Sequence, residues 1–227
     1  MTASRRKFLE HIAGSAVMLG AAPASFDGTL RAFRDASGAH AAEDFDLSWV
    51  SRVSGKHRAV FDVPEVDSGY GVWRASIWRN QYQQTLQVAP RDLSAVVVLR
   101  HHGIALAMQQ AFWDAHGVGK AKKAMHPVTE VPTDKNPAML ASSRGDIAQG
   151  FDEFALDRFI ASGGIVLACN LAFADCVGLI KAKDGLSDQD ARTKALSLLV
   201  PGVIMQPSGV FAAIRVQEAG CVYLLAS

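Results

Sequence analysis

Two uninterrupted apolar runs, Ala95-Val96-Val97-Val98-Leu99 and Ile165-Val166-Leu167-Ala168, constrain the fold more than any other feature of the chain. A strand with one face in water alternates apolar and polar residues, so a run without alternation must be covered on both faces. The β-branched residues at 96–98 mark strand rather than helix. Strands of this kind belong to parallel sheets sandwiched between helices. Three shorter strand signals accompany them: Arg58 to Val63, closed by Pro64; Val203-Ile204-Met205; and Val222-Tyr223-Leu224-Leu225.

Helical signals fill the intervals. Ala75, Trp78, Tyr82 and Leu86 recur three and four residues apart, which places them on one face as core. Ile104 to His116 reads as a second helix. Asp146 can cap a third, with Ile147, Phe151, Phe154, Ala155 and Phe159 along one side and Gly163-Gly164 at its end. Further helices are expected from near Asn170, after the Ser187/Asp190 capping pair, and over Ser208 to Ala219. Strands alternating with helices imply right-handed crossovers and a mainly parallel sheet in an α/β fold of three layers. Between Gly117 and Gly145, Pro127, Pro132 and Pro137 interrupt a segment without clear period, read as a long loop with a lid, binding or interface role.

The first residues read differently. Ser4-Arg5-Arg6-Lys7-Phe8-Leu9 precedes an apolar stretch from Ile12 to Ala22, and then the small residues Ala22-Pro23-Ala24. The stretch falls short of the ~20 residues that span a bilayer. The order of features predicts a twin-arginine signal segment over 1–24, cut after Ala24 or at the later Ala39-His40-Ala41 site, and hence export to the periplasm without a membrane span. Residues 25–55 are expected to form an N-terminal arm pinned by Trp49 and Val53, and 56–227 one α/β domain.

Charge narrows the partners. Of the chain's net +1, the leader supplies three positive charges against Glu10, so the remainder is slightly negative. Lys120, Lys122 and Lys123 form the only other basic cluster and lack interleaved aromatics, so nucleic acid is not an expected partner.

In an open parallel sheet, ligands gather beyond the carboxyl ends of the strands. That rule selects Arg100-His101-His102-Gly103 after one strand and Cys169-Asn170 after another. A thiol at a strand end and helix start can have its thiolate stabilised by unpaired backbone amides, which makes Cys169 the nucleophile candidate against the alternative of a small core cysteine. Cys176 stands two helical turns on, about 10 Å of rise and beyond disulfide reach, and Cys221 is expected in the core. His101 and His102 could supply a base or a metal ligand. As neighbours in an extended segment they should point opposite ways, so that at most one faces a given site. Without an H-E-x-x-H, C-x-x-C or carboxylate cluster, neither a metal nor a cofactor is expected. Gly117-Val118-Gly119-Lys120-Ala121 lacks the full phosphate-loop spacing, and Pro207-Ser208-Gly209 is a helix cap rather than a nucleophile elbow.

Several segments in order resemble the DsrE/DsrF-like family of sulfur-relay proteins. They are Lys56 to Val63; Val96-Val97-Val98-Leu99-Arg100-His101-His102-Gly103; Gly164-Ile165-Val166-Leu167-Ala168-Cys169-Asn170; Leu199-Val200-Pro201-Gly202-Val203; and Pro207-Ser208-Gly209-Val210 leading to Gln217 to Tyr223. The resemblance spans about His57 to Leu225. It implies a flavodoxin-like sheet of five parallel strands, assembly into homo- or hetero-oligomers, and a cysteine, here Cys169, that carries sulfur as a persulfide. On this expectation the protein is a periplasmic sulfane-sulfur carrier or sulfurtransferase. His101 or His102 would tune Cys169, Asn170 and Asn80 would bind substrate, and a small sulfur compound or relay protein would be the partner. The alternative is a non-catalytic small-ligand-binding or assembly module of the same fold.

Replacing Arg5 and Arg6 by lysine should hold the precursor in the cytoplasm. Cell fractionation checks this, and undiminished mature protein in the periplasm would refute the twin-arginine route.

Overall fold

The computed structural model describes residues 45–227; the paired arginines and the expected cleavage sites lie outside them. Five strands form one sheet: β1 (His57–Val63), β2 (Leu93–Leu99), β3 (Ile165–Cys169), β4 (Ile204–Gln206) and β5 (Val222–Leu225). All pairings are parallel and the order is β4-β3-β2-β1-β5. The helices are α1 (Tyr70–Leu86), α2 (Gln110–His116), α3 (Val118–Lys122), α4 (Leu156–Ala161), α5 (Asn170–Asp184), α6 (Asp188–Ser197) and α7 (Gly209–Glu218). The three-layer α/β fold with a five-stranded parallel sheet is thus the observed one.

Handedness explains how the layers fill. From β1 to β4 the chain steps one strand at a time in one direction, and right-handed crossovers put every connecting helix on one face. The step from β4 to β5 runs back across the sheet, so α7 lies on the other. Strand alternation agrees. Phe61, Val63, Val97, Leu99, Val166 and Ala168 pack with Phe112, Trp113, Phe159, Phe173 and Ile180 on the first face. Val60, Val96, Val98, Ile165 and Leu167 pack with Ala212 and Val216 of α7 on the second. Ten residues of helix cannot cover that second face alone. A 3₁₀ turn at Ser48–Arg52 completes it, with Trp49 fully buried and Val53 beside it, so these two residues do pin the segment ahead of β1.

Local readings fail where sequence period is weakest. Ile104 to His116 is not one helix: a 3₁₀ stretch, His101–Ala107, gives way to α2 at Gln110. Asp146 caps no helix, because its carboxylate accepts from Lys135, Arg144 and the Ala141 amide. A 3₁₀ turn, Gln149–Phe154, follows before α4 begins. The 117–145 segment contains α3 and a bridge between Met125 and Pro132. Fully buried Asn136 ties it down by donating to the Leu106 and Met108 carbonyls at 3.0 and 2.8 Å and accepting from the Ala138 amide. Edge strand β5 exposes all four of its apolar or aromatic residues, from 42% at Tyr223 to 74% at Val222.

Trp49→Ala should cost about 3–5 kcal/mol in denaturant unfolding, the range for losing a buried tryptophan. The Trp49 indole N–H is buried without a partner among the described residues, so Trp49→Phe should cost clearly less. Equal losses in the two variants would contradict this account of the second face.

Candidate functional site

A crevice forms in a parallel sheet where neighbouring strands send their carboxyl-end connections to opposite faces. Here β3 leads to α5 on the first face and β4 to α7 on the second, which makes the ends of β3 and β4 the switch point that this rule selects. The last rung there pairs Cys169 with Gln206. Cys169 continues the alternation of Ile165 and Leu167, so its side chain belongs to the second face, as does that of Gln206.

One polar row slants across the same face of the sheet from this rung. Leu99 pairs with Ala168, so Arg100, still extended at φ −139°, stands beside Cys169 on the same face. Asp62 of β1 is 1% exposed and accepts a two-pronged bond from Arg100, with Nε at 2.8 Å and Nη2 at 2.7 Å. Tyr223 of β5 donates its hydroxyl to Asp62 Oδ2 at 2.6 Å. In sheet order, the row reads Gln206, Cys169, Arg100, Asp62, Tyr223. The Asp62 carboxylate holds the Arg100 guanidinium more strongly protonated than usual, and it also pushes the Tyr223 phenol up from its ordinary value.

Two helix N-termini meet this row. Cys169 is the N-cap of α5, its Sγ accepting the Ala172 amide at 3.4 Å, and it is 6% exposed. Ser208 caps α7 by accepting the Phe211 amide at 3.0 Å. Gly209 is required at the first position of α7, since a Cβ there would lie 2.4 Å from Cβ of Arg100. Asn170 is fully buried; its Oδ1 accepts from Arg192 at 2.9 Å, and its Nδ2 has no partner among the described residues. Gln206 donates to the Asp46 and Met205 carbonyls and leaves Oε1 equally unpaired. The arrangement offers a sulfur atom at a helix start, the positive end of a helix dipole, and unpaired buried polar atoms close to it in sequence and register.

The other candidates are placed elsewhere. His101 and His102 do not diverge as an extended segment would make them. His101 is left-handed at φ 50° in a 3₁₀ turn, and the two rings stack at 4.2 Å. His102 Nδ1 lies 2.9 Å from Glu65 Oε2, and among the described residues no hydrogen bond joins either histidine to Cys169. Asn80 donates to Glu153 at 2.9 Å in a groove of about 450 Å³ that Pro90 and Ser162 also line. Pro90 precedes β2 and Ser162 precedes β3, so this groove lies at the amino ends of the strands, away from Cys169. Burial pushes the Cys176 thiol up to about 12 and the Cys221 thiol up to about 11. The Asp62–Arg100–Tyr223 network escaped sequence reading, although an aspartate inside an apolar strand, Val60-Phe61-Asp62-Val63, was a signal that it needed a buried partner.

Compared with family models, with curated proteins and with solved structures, the chain matches none.

Arg100→Ala should destabilise the fold by about 3–5 kcal/mol, because the buried Asp62 charge loses its counterion. The Tyr223 network has an alkaline signature. The folded protein keeps this phenol proton above the pH near 10 at which the unfolded chain releases it. Stability present below that pH is therefore lost as pH rises through the higher folded value. Tyr223→Phe should flatten this alkaline fall in melting temperature; an unchanged slope would show that Asp62 does not govern the phenol.

Proposed function

We propose that the chain is a periplasmic sulfane-sulfur carrier of the DsrE-like kind, with Cys169 as the residue that holds the sulfur. The observation that carries the reading is the capping contact: Cys169 Sγ accepts the Ala172 amide at the start of a fifteen-residue helix. Negative charge on that sulfur is stabilised by the same amide and by the helix dipole, for a thiolate or a terminal persulfide alike.

The transfer is redox-neutral. The Cys169 thiolate attacks the outer sulfur of a persulfide or polysulfide donor. The donor's S–S bond breaks, the leaving thiolate takes the bonding pair, and Cys169 becomes a persulfide. An acceptor thiolate then attacks the outer sulfur and Cys169 leaves as thiolate. The Arg100 guanidinium is held by Asp62 further along the same face, and the Asn170 amide nitrogen, next to Cys169 in sequence, is buried without a partner among the described residues. His102 pairs with Glu65 and stacks on His101, and among the described residues neither histidine is hydrogen-bonded to Cys169, so in this reading the Ala172 amide takes over the tuning role expected of them. Association of copies belongs to the same proposal, supported by the exposed apolar residues of β5 and by Val210 and Ile214 of α7.

The competing reading, a non-catalytic ligand-binding module, draws on the small exposure of Cys169 together with the unpaired Asn170 and Gln206 atoms.

Alkylation at neutral pH separates the two. Iodoacetamide should label Cys169 at least tenfold faster than Cys176 or Cys221, whose raised values leave little thiolate. Treatment with polysulfide should add the mass of one sulfur atom to the peptide that contains Cys169, and to no peptide in Cys169→Ser. Labelling of Cys169 only after denaturation would sink the carrier and leave the binding module.

A further inference from the structure

We propose that Glu65, His101 and His102 form a binding site for a divalent transition-metal ion of the zinc type. Each offers one ligand atom, and the three atoms lie within 4.8 Å of one another. Glu65 Oε2 and His102 Nδ1 are already 2.9 Å apart. Ligand atoms on neighbouring positions of one ion, bound at about 2.0–2.1 Å, stand about 3 Å from each other. An ion can replace the shared proton of this pair with little movement of either side chain.

The backbone fixes the cluster. The Arg100 amide donates to the Val63 carbonyl at 3.2 Å and the Gly103 amide to the Pro64 carbonyl at 2.8 Å, which presses the histidine turn against the segment carrying Glu65. Contact is so close that a Cβ on Gly103 would lie 2.1 Å from the Val63 oxygen. Within this turn, His101 takes a left-handed conformation that costs a non-glycine residue free energy and brings its ring onto that of His102, with an interplanar angle of 15°. An exposed Glu–His pair stabilises a fold by little, so the pair does not account for the ordered arrangement. Two imidazoles and one carboxylate do, if they serve an ion; this donor set suits zinc, copper or nickel over magnesium or calcium.

The site is open on one side. Glu65 and His102 line a cleft of about 320 Å³ together with Asp67, Ala121, Lys122 and Lys123. Three protein ligands with an open fourth position are the pattern of a metal that exchanges a ligand, and the two lysines would favour an anion there.

Titrating zinc into the metal-free full chain by calorimetry should show one such ion per chain, with magnesium unable to compete. Long-range nitrogen NMR of the imidazoles should show His102 Nδ1 and one His101 nitrogen shifting on zinc addition. Glu65→Gln, His101→Ala and His102→Ala should each weaken zinc by tenfold or more, whereas Cys169→Ser should leave it unchanged. The wild-type NMR shifts stand even if a variant misfolds. Zinc binding that survives all three variants, or that Cys169→Ser alone removes, or imidazole signals that do not move, would overturn the site. None of these results bears on sulfur loading of Cys169.

Discussion

Right-handed crossovers force a parallel sheet to declare, by its strand order, which face each helix will cover. In β4-β3-β2-β1-β5 only the final connection runs backward, and much else follows from that one reversal. The first face receives α1 to α6 and the larger core cluster, while the second receives α7 with the Trp49 turn. The reversal also sends the connections that follow β3 and β4 to opposite faces, just beyond the rung that pairs Cys169 with Gln206. Coverage and the switch of connections at the ends of β3 and β4 are therefore two results of the same constraint. The thinly covered face is the one on which polar side chains can stand at the strand ends.

Within that face, the Asp62–Arg100 pair is costly to bury and correspondingly directional. Taking a carboxylate to 1% exposure costs several kcal/mol unless it is paired and hydrogen-bonded, and the two guanidinium bonds with the Tyr223 hydroxyl give it three donors. Such a pair adds little net stability compared with apolar residues of similar size. What it does fix is geometry. Arg100 is held at the end of β2, its stem against Gly209 at the start of α7, so the pair ties that helix N-terminus to β1 and β2.

How much of this the sequence discloses depends on how local the cause is. The buried strands were legible because Ala95 to Leu99 and Ile165 to Ala168 have no polar alternation, and the caps at Ser187 and Ser208 because their chemistry lies within four residues. The helix start at Asn170 follows likewise from Cys169 at a strand end. Long-range pairings were not legible. Asp62 finds Arg100 thirty-eight positions away, and Glu65 meets His102 only because parallel pairing brings the exits of β1 and β2 together. The histidines were misjudged for a more local reason. Period-two alternation holds only while the backbone remains extended, and His101 leaves it at a positive φ. Asn80 was linked to Cys169 without a feature that says which end of the sheet a helical residue approaches.

The small exposure of Cys169 looks at first like evidence against transfer chemistry, yet sulfur relay changes the geometry of the question. A carrier cysteine presents its cargo on the outer atom of the persulfide, about 2.05 Å beyond Sγ. The attacked atom in the second half-reaction is that outer sulfur. In the proposed carrier, a Cys169 residue only 6% exposed would be shielded from oxidants and stray disulfide exchange, while the transferable sulfur would extend one bond beyond Sγ. The same shielding would leave a thiol that had to attack a bulky substrate directly at a disadvantage. Among the thiol chemistries open to a capped strand-end cysteine, the proposed small-sulfur transfer makes the least demand on access, and under that proposal the Ala172 amide would serve both resting and loaded forms.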